Sequence, residues 1–189
     1  MRIALAVGVL ALAASPALAQ EMACPYRAGS NPATRPSPLD STSFTVGGHT
    51  VKVCYGRPSL KGRTMLGGDA VPWGKVWRTG ANETTKFITT APVAVGTLAV
   101  PAGMYALYTV PGETDWEIII NRSYAQWGRE NTYTDSVKAL ELGRVKVRAD
   151  SVASPIETFT IRADQQPDGS ALLVLEWQHS RVKVPIQAR

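Results

Sequence analysis

Between residues 42 and 186 apolar and polar positions alternate in short runs, and glycine, proline and aspartate interrupt the runs at regular intervals. A period of two is the mark of strands that bury one face. The runs "TSFTV" and "HTVKVCYGR" flank Gly47 and Gly48, a two-residue hairpin signal in which glycine supplies the positive φ that twisted strands require. Further strands are predicted at 84–90, 93–100, 104–110, 116–121, 144–150, 157–164, 171–178 and 182–186. Turn residues at 101–103, 111–115 and 167–169 separate them. Only 123–128 and 135–142 offer short helical stretches. The expected fold class is therefore all-β: an antiparallel β-sandwich or jelly-roll-like barrel with a long structured loop and little helix.

The alternation also assigns faces. Trp116 and Trp177 fall on core-facing positions of their runs. In "ALLVLEWQ" both faces are apolar apart from Glu176, so this strand is read as covered on both sides, and Glu176 is expected to have an arginine beside it. In "HTVKVCYGR" Val51, Val53 and Tyr55 share one face, which leaves Cys54 on the other with Lys52.

The N-terminal segment follows a different pattern. "MRIALAVGVLALAASPALAQ" has a positive residue at Arg2, an apolar run from Ile3 to Leu12 and small residues before position 20, the layout of a secretory signal peptide covering 1–19. Residues 20–40, rich in proline and polar residues, are read as an extended tail, and 41–189 as one β-sandwich domain. Loss of the leader removes Arg2 and takes the formal charge of the chain from +5 to +4. That modest excess fits an acidic small ligand and argues against nucleic acid as a partner. No stable membrane insertion is expected, since no later apolar run is long enough. Export makes a disulfide between the two cysteines, Cys24 and Cys54, the expected pairing, with two free thiols as the alternative. A lipid on Cys24 is disfavoured by Glu21 and Met22, where a lipoprotein signal wants small or apolar residues.

The charge excess is local. Between positions 57 and 78 stand Arg57, Lys61, Arg63, Lys75 and Arg78 against one acid, Asp69, in a glycine-rich and proline-bearing stretch without periodicity. Leu66, Val71, Trp73, Val76 and Trp77 want burial, so this connection is predicted to be packed and structured. Arg57, Lys61, Arg63, Arg78 and Asn82 form a donor set suited to carboxylate or phosphate, and Trp73 and Trp77 supply aromatic platforms. If these groups point into one shared space, they form a site for an anionic small molecule or acidic glycan. The alternative is that the arginines pair with neighbouring acids and the indoles pack under the loop.

"YGRPSLKGRTMLGGDAVPWGKVWRTGANETT", followed by "LAVPAGMYALYTVPGETDWEIIIN", "ETFTI" and "LEWQHSRVKVPI", resembles an exported bacterial family known as domain of unknown function 2911. The resemblance implies an exported single domain and assigns no activity.

A catalytic role has a single candidate, Glu83, acting as general base of a hydrolase or lyase beside Arg78 and Asn82. His49 and His179, the only histidines, are read as surface turn residues, and their separation argues against a metal site. No cofactor is expected. The leading expectation is a non-enzymatic, periplasmic or secreted binding module; a hydrolase or lyase and a structural module of the cell envelope are the alternatives.

Overall fold

The computed structural model describes residues 22–26, 31–32, 34–128 and 130–189. The leader assigned to 1–19 lies outside them, as does part of the lead-in. The chain forms nine antiparallel strands: β1 (Leu39–Val46), β2 (His49–Gly56), β3 (Thr85–Thr89), β4 (Val93–Val95), β5 (Leu98–Val100), β6 (Gly103–Val110), β7 (Asp115–Asn121), β8 (Glu141–Gln165) and β9 (Ala171–Ala188). They make one open sheet in the order β1-β2-β3-β6-β7-β8-β9-β4-β5. Among the described residues helix is limited to a 3-10 turn at Glu130–Thr132 and one short helix, α1 (Asp135–Lys138).

The all-β antiparallel expectation holds, and the hairpin at Gly47 and Gly48 pairs Val46 with His49. Three differences from the predicted strands stand out, one being that the runs 171–178 and 182–186 join in the single strand β9; the other two have physical causes. The runs 144–150 and 157–164 belong to the single strand β8, because irregularities between Ser151 and Thr160 let the ladder with β9 resume after the interruption. The run 93–100 divides into β4 and β5 at Gly96, whose φ of 56° makes a tight turn.

The sheet curls so that β1 and β2 face the β8–β9 hairpin. The Tyr55 hydroxyl accepts the Ile161 amide at 3.0 Å, and Gln165 donates from Nε2 to the Thr45 carbonyl at 2.7 Å. Between the two halves lies the main core, with Trp116, Trp177, Phe87, Phe159 and Leu107 almost fully buried. At roughly 1.5–3 kcal/mol for each large apolar side chain removed from water, this layer is the main source of stability. As the sequence pattern indicated, Glu176 is held by arginines: Arg181 donates from Nε at 2.7 Å, and Arg162 Nε lies 3.5 Å from the other carboxylate oxygen.

The outer face of the same strands is also covered. Ala106, Tyr108 and Ile119 form a second, smaller cluster packed against Tyr133. Asn121, fully buried, fastens the segment at 122–140 over this face: its Nδ2 donates to the Val137 carbonyl and its Oδ1 accepts the Ser123 amide.

Candidate functional site

The crossover between β2 and β3 is ordered, as its apolar content predicts. It bonds to β6 through reciprocal Trp77–Thr109 backbone hydrogen bonds at 2.7 and 2.9 Å, and to β8 through Leu60 and Glu157. A close approach closes it: a Cβ on Gly56 would meet the Ala81 carbonyl oxygen at 1.9 Å. Only glycine lets the end of the crossover lie against β2.

The partners of its cations are dispersed, where the sequence reading expected one shared space. Arg57 donates to the Phe159 carbonyl and the Thr160 hydroxyl and sits 3.6 Å from Asp40. Arg63 folds back on the Leu60 and Ser59 carbonyls, both at 3.0 Å. Lys61 is an exposed turn residue whose amide bonds to the Glu157 carboxylate. Arg78 donates to the Asn82 carbonyl, and Asn82 in turn donates to the Ser37 carbonyl. For Arg63 and Arg78 the physical reason is shared: an irregular crossover leaves carbonyls without ladder partners, and guanidinium forks supply the missing donors.

The indoles also separate. Trp77, 4% exposed, stacks on Trp177 at 5.7 Å and meets Phe159 and Trp116 edge-on, so it is a core residue and offers no surface for a ligand. Trp73 is partly exposed and borders a cleft of about 560 Å³ that also contains Glu113, Arg148, Asp150 and His179.

A different cleft forms on the outer face of the sheet. In β3 Lys86 lies in register with Cys54 of β2 on one side and Ala106 of β6 on the other. Cys54 carries the disulfide to Cys24, as the cysteine count suggested, and thereby ties the segment at 22–26 across this face. Both sulfurs are used, so no thiol remains on Cys24 for a lipid. Pro25 and Tyr26 form one wall, Tyr124, Gln126 and Trp127 the other, and Lys86 and Glu83 the base of a cavity of about 470 Å³. Thr84 holds the second wall down by donating to the Gln126 carbonyl, and Gly128 packs so closely on Thr84 that a Cβ there would lie 2.0 Å from the threonine methyl.

Lys86 is only 4% exposed. Its ammonium donates to the carbonyl and to the hydroxyl of Thr84. Among the described residues no carboxylate lies within salt-bridge distance of it. Burial brings its pKa down from 10.5 to about 8, with the nearby charge of Glu83 opposing that shift. Glu83 itself is gripped by Arg35, which donates to both carboxylate oxygens at 2.6 and 2.9 Å. Gln126 donates to the Tyr108 hydroxyl at 2.7 Å, and burial raises that phenol above its usual range.

Lys86 escapes a reading of the sequence because a lysine at an alternating position of a strand ordinarily faces water. The available signal was Ile88: it shares the Lys86 face, and an apolar neighbour there implies a cover.

The class so defined is a curved all-β protein with a disulfide-tied segment closing a small cleft over a buried lysine. Residues 37–186 match the family described as protein of unknown function, DUF2911, and the chain belongs to that family. The match includes Glu83, Lys86 and 124–127, while the tied segment at 22–26 precedes it. No curated protein and no solved structure matches the chain. The disulfide fits a compartment outside the reducing cytosol, and among the described residues no helix is long and apolar enough to cross a membrane.

Proposed function

We propose that this protein is an exported, periplasmic or secreted binding module that takes up an anionic small molecule with a flat, ring-bearing body in the cleft over Lys86. One observation carries the proposal: a buried ammonium that no carboxylate among the described residues binds forms the base of an aromatic-walled cavity. A buried cation is costly unless an anion meets it, and a ligand carboxylate or phosphate at this position would supply one. Tyr26, Tyr124 and Trp127 offer faces and edges for a ring, and Gln126 an amide. The volume suits a small molecule better than a glycan chain. The cleft beside Trp73 sets two carboxylates, Glu113 and Asp150, against one arginine, Arg148, and offers no buried cation, so the anionic ligand is assigned to the Lys86 cleft.

A hydrolase or lyase with Glu83 as general base is less well supported, because Arg35 occupies both carboxylate oxygens. Titration calorimetry with terephthalate, a flat aromatic dianion, tests the binding proposal. Binding is expected to weaken at least about tenfold in Lys86→Met, the scale of one lost charge-assisted hydrogen bond. Unchanged affinity in that variant, with the fold intact by circular dichroism, overturns it. An envelope structural module would show no terephthalate binding in either protein.

A further inference from the structure

The arrangement around Lys86 goes further than anion recognition. The ammonium has two acceptors, the Thr84 carbonyl oxygen at 2.9 Å and the Thr84 hydroxyl, and both belong to one residue at the base of the cleft. A neutral amine keeps two N–H bonds and one lone pair. With both N–H bonds directed to Thr84, the lone pair is left for a partner other than that residue, and Lys86 lines the cavity. A lysine nitrogen with an uncommitted lone pair, at the base of a partly open cleft of about 470 Å³, is the arrangement that attack on a bound molecule requires.

We propose that Lys86 forms a Schiff base with a small aldehyde or ketone that also carries an acidic group. This rests on the reading of the cleft as an anion site and names the chemical class of its ligand. In its neutral form the amine adds through its lone pair to the carbonyl carbon. The π pair moves to oxygen, which is protonated as nitrogen releases a proton, and a carbinolamine results. The C–O bond then breaks, the hydroxyl takes a proton and leaves as water, and a protonated C=N bond remains. Counted from the ammonium, one water is lost and no net proton is exchanged, so the positive charge stays beside the ligand's acidic group throughout. No oxidant, reductant or metal enters the sequence.

The surroundings support the chemistry. The pKa of about 8 leaves a substantial fraction of Lys86 neutral near pH 7.5, whereas an ordinary surface lysine is almost wholly protonated there. The groups that face it are Glu83, held by Arg35, from the crossover; Tyr26 from the tied segment; Tyr124 from the opposite wall; and Cys54, locked in its disulfide, from β2. None of these is a competing amine.

The test uses the wild-type oxidised protein and 4-carboxybenzaldehyde with cyanoborohydride, which reduces an imine to a stable amine, followed by peptide mass spectrometry. Lys86 is expected to be labelled at least about tenfold faster than exposed lysines such as Lys61 and Lys183, in line with its larger neutral fraction, and terephthalate is expected to slow that labelling. Lys86→Arg is expected to abolish the fast label while retaining terephthalate binding. If terephthalate binds but Lys86 reacts no faster than Lys61, the covalent step is overturned and the anion site stands. If terephthalate does not bind and Lys86 is not labelled, both fall. The comparison of lysines within the wild-type protein decides the matter even if Lys86→Arg does not fold.

Discussion

The crossover between β2 and β3 carries five cations within 57–78, and the strand that follows it carries one, Lys86; their surroundings give the two groups opposite roles. Arg57 and Arg63 of the crossover lie on backbone carbonyls near the surface, where water shares the solvation and the charges cost little. Lys86 sits on the outer face of a sheet that is covered on both sides, with Thr84 as its polar anchor. Clustered positive charge in a sequence can therefore be scaffold, while on the proposed reading a single buried lysine in a strand is the group that meets a ligand. What separates them is burial, and that depends on which strands become neighbours and on what covers them.

The sharpest way to break this comparison is to exchange packing for charge. Trp77→Ala, which empties the stack against Trp177 and Phe159, is expected to lower stability by about 3–5 kcal/mol by chemical denaturation, and Lys86→Met to change it by less than about 1 kcal/mol or to raise it. A large loss in Lys86→Met would mean that the lysine is structural. Reduction of the disulfide comes next. Its 30-residue separation corresponds to about 3–4 kcal/mol on the loop-closure argument, and release of the wall formed by Pro25 and Tyr26 should weaken terephthalate binding as well. Loss of stability with unchanged binding would show that the tied segment is not part of the cleft.

The smallest effect is a pH dependence. The folded pKa of Lys86 lies below its unfolded value, so between about pH 8 and 10.5 the unfolded chain binds more protons than the folded one. The charging cost is fully present below that window and is relieved as pH rises through it. Burial also holds the Tyr55, Tyr108 and Tyr133 phenols high, which favours the opposite trend at more alkaline pH. Between pH 8 and 9.5 the wild type is expected to gain about 1–2 kcal/mol relative to Lys86→Met, measured as the difference between their denaturation midpoints. A parallel course for the two proteins would show that the lysine is not held at a depressed pKa.

Much of the fold was legible from period-two alternation. It placed Trp116 and Trp177 inside, and the isolated acid in an otherwise apolar strand led to the arginines on Glu176. The crossover was correctly read as packed, since an unstructured linker would not carry Leu66, Val71 and Trp77. The candidate site was less legible because its parts come from 22–26, 83–86 and 124–127, which only the register of β2, β3 and β6 and the disulfide bring together. Composition identified the cations but not the carbonyls facing them. Trp77 in particular looked like a surface platform because it lies outside the strands, yet its backbone bonds to Thr109 carry its ring into the core.

The β8–β9 hairpin belongs to both halves of the curled sheet: β8 pairs with β7 over its first part and with β9 over the rest, and β9 continues to β4. No half can melt while leaving the other its hydrogen-bonding edge, so denaturation is expected to be one concerted event. Occupancy of a small cleft at one margin should thus register as a shift of the whole melting curve, which makes simple calorimetric screening of compound libraries a direct route to the natural ligand.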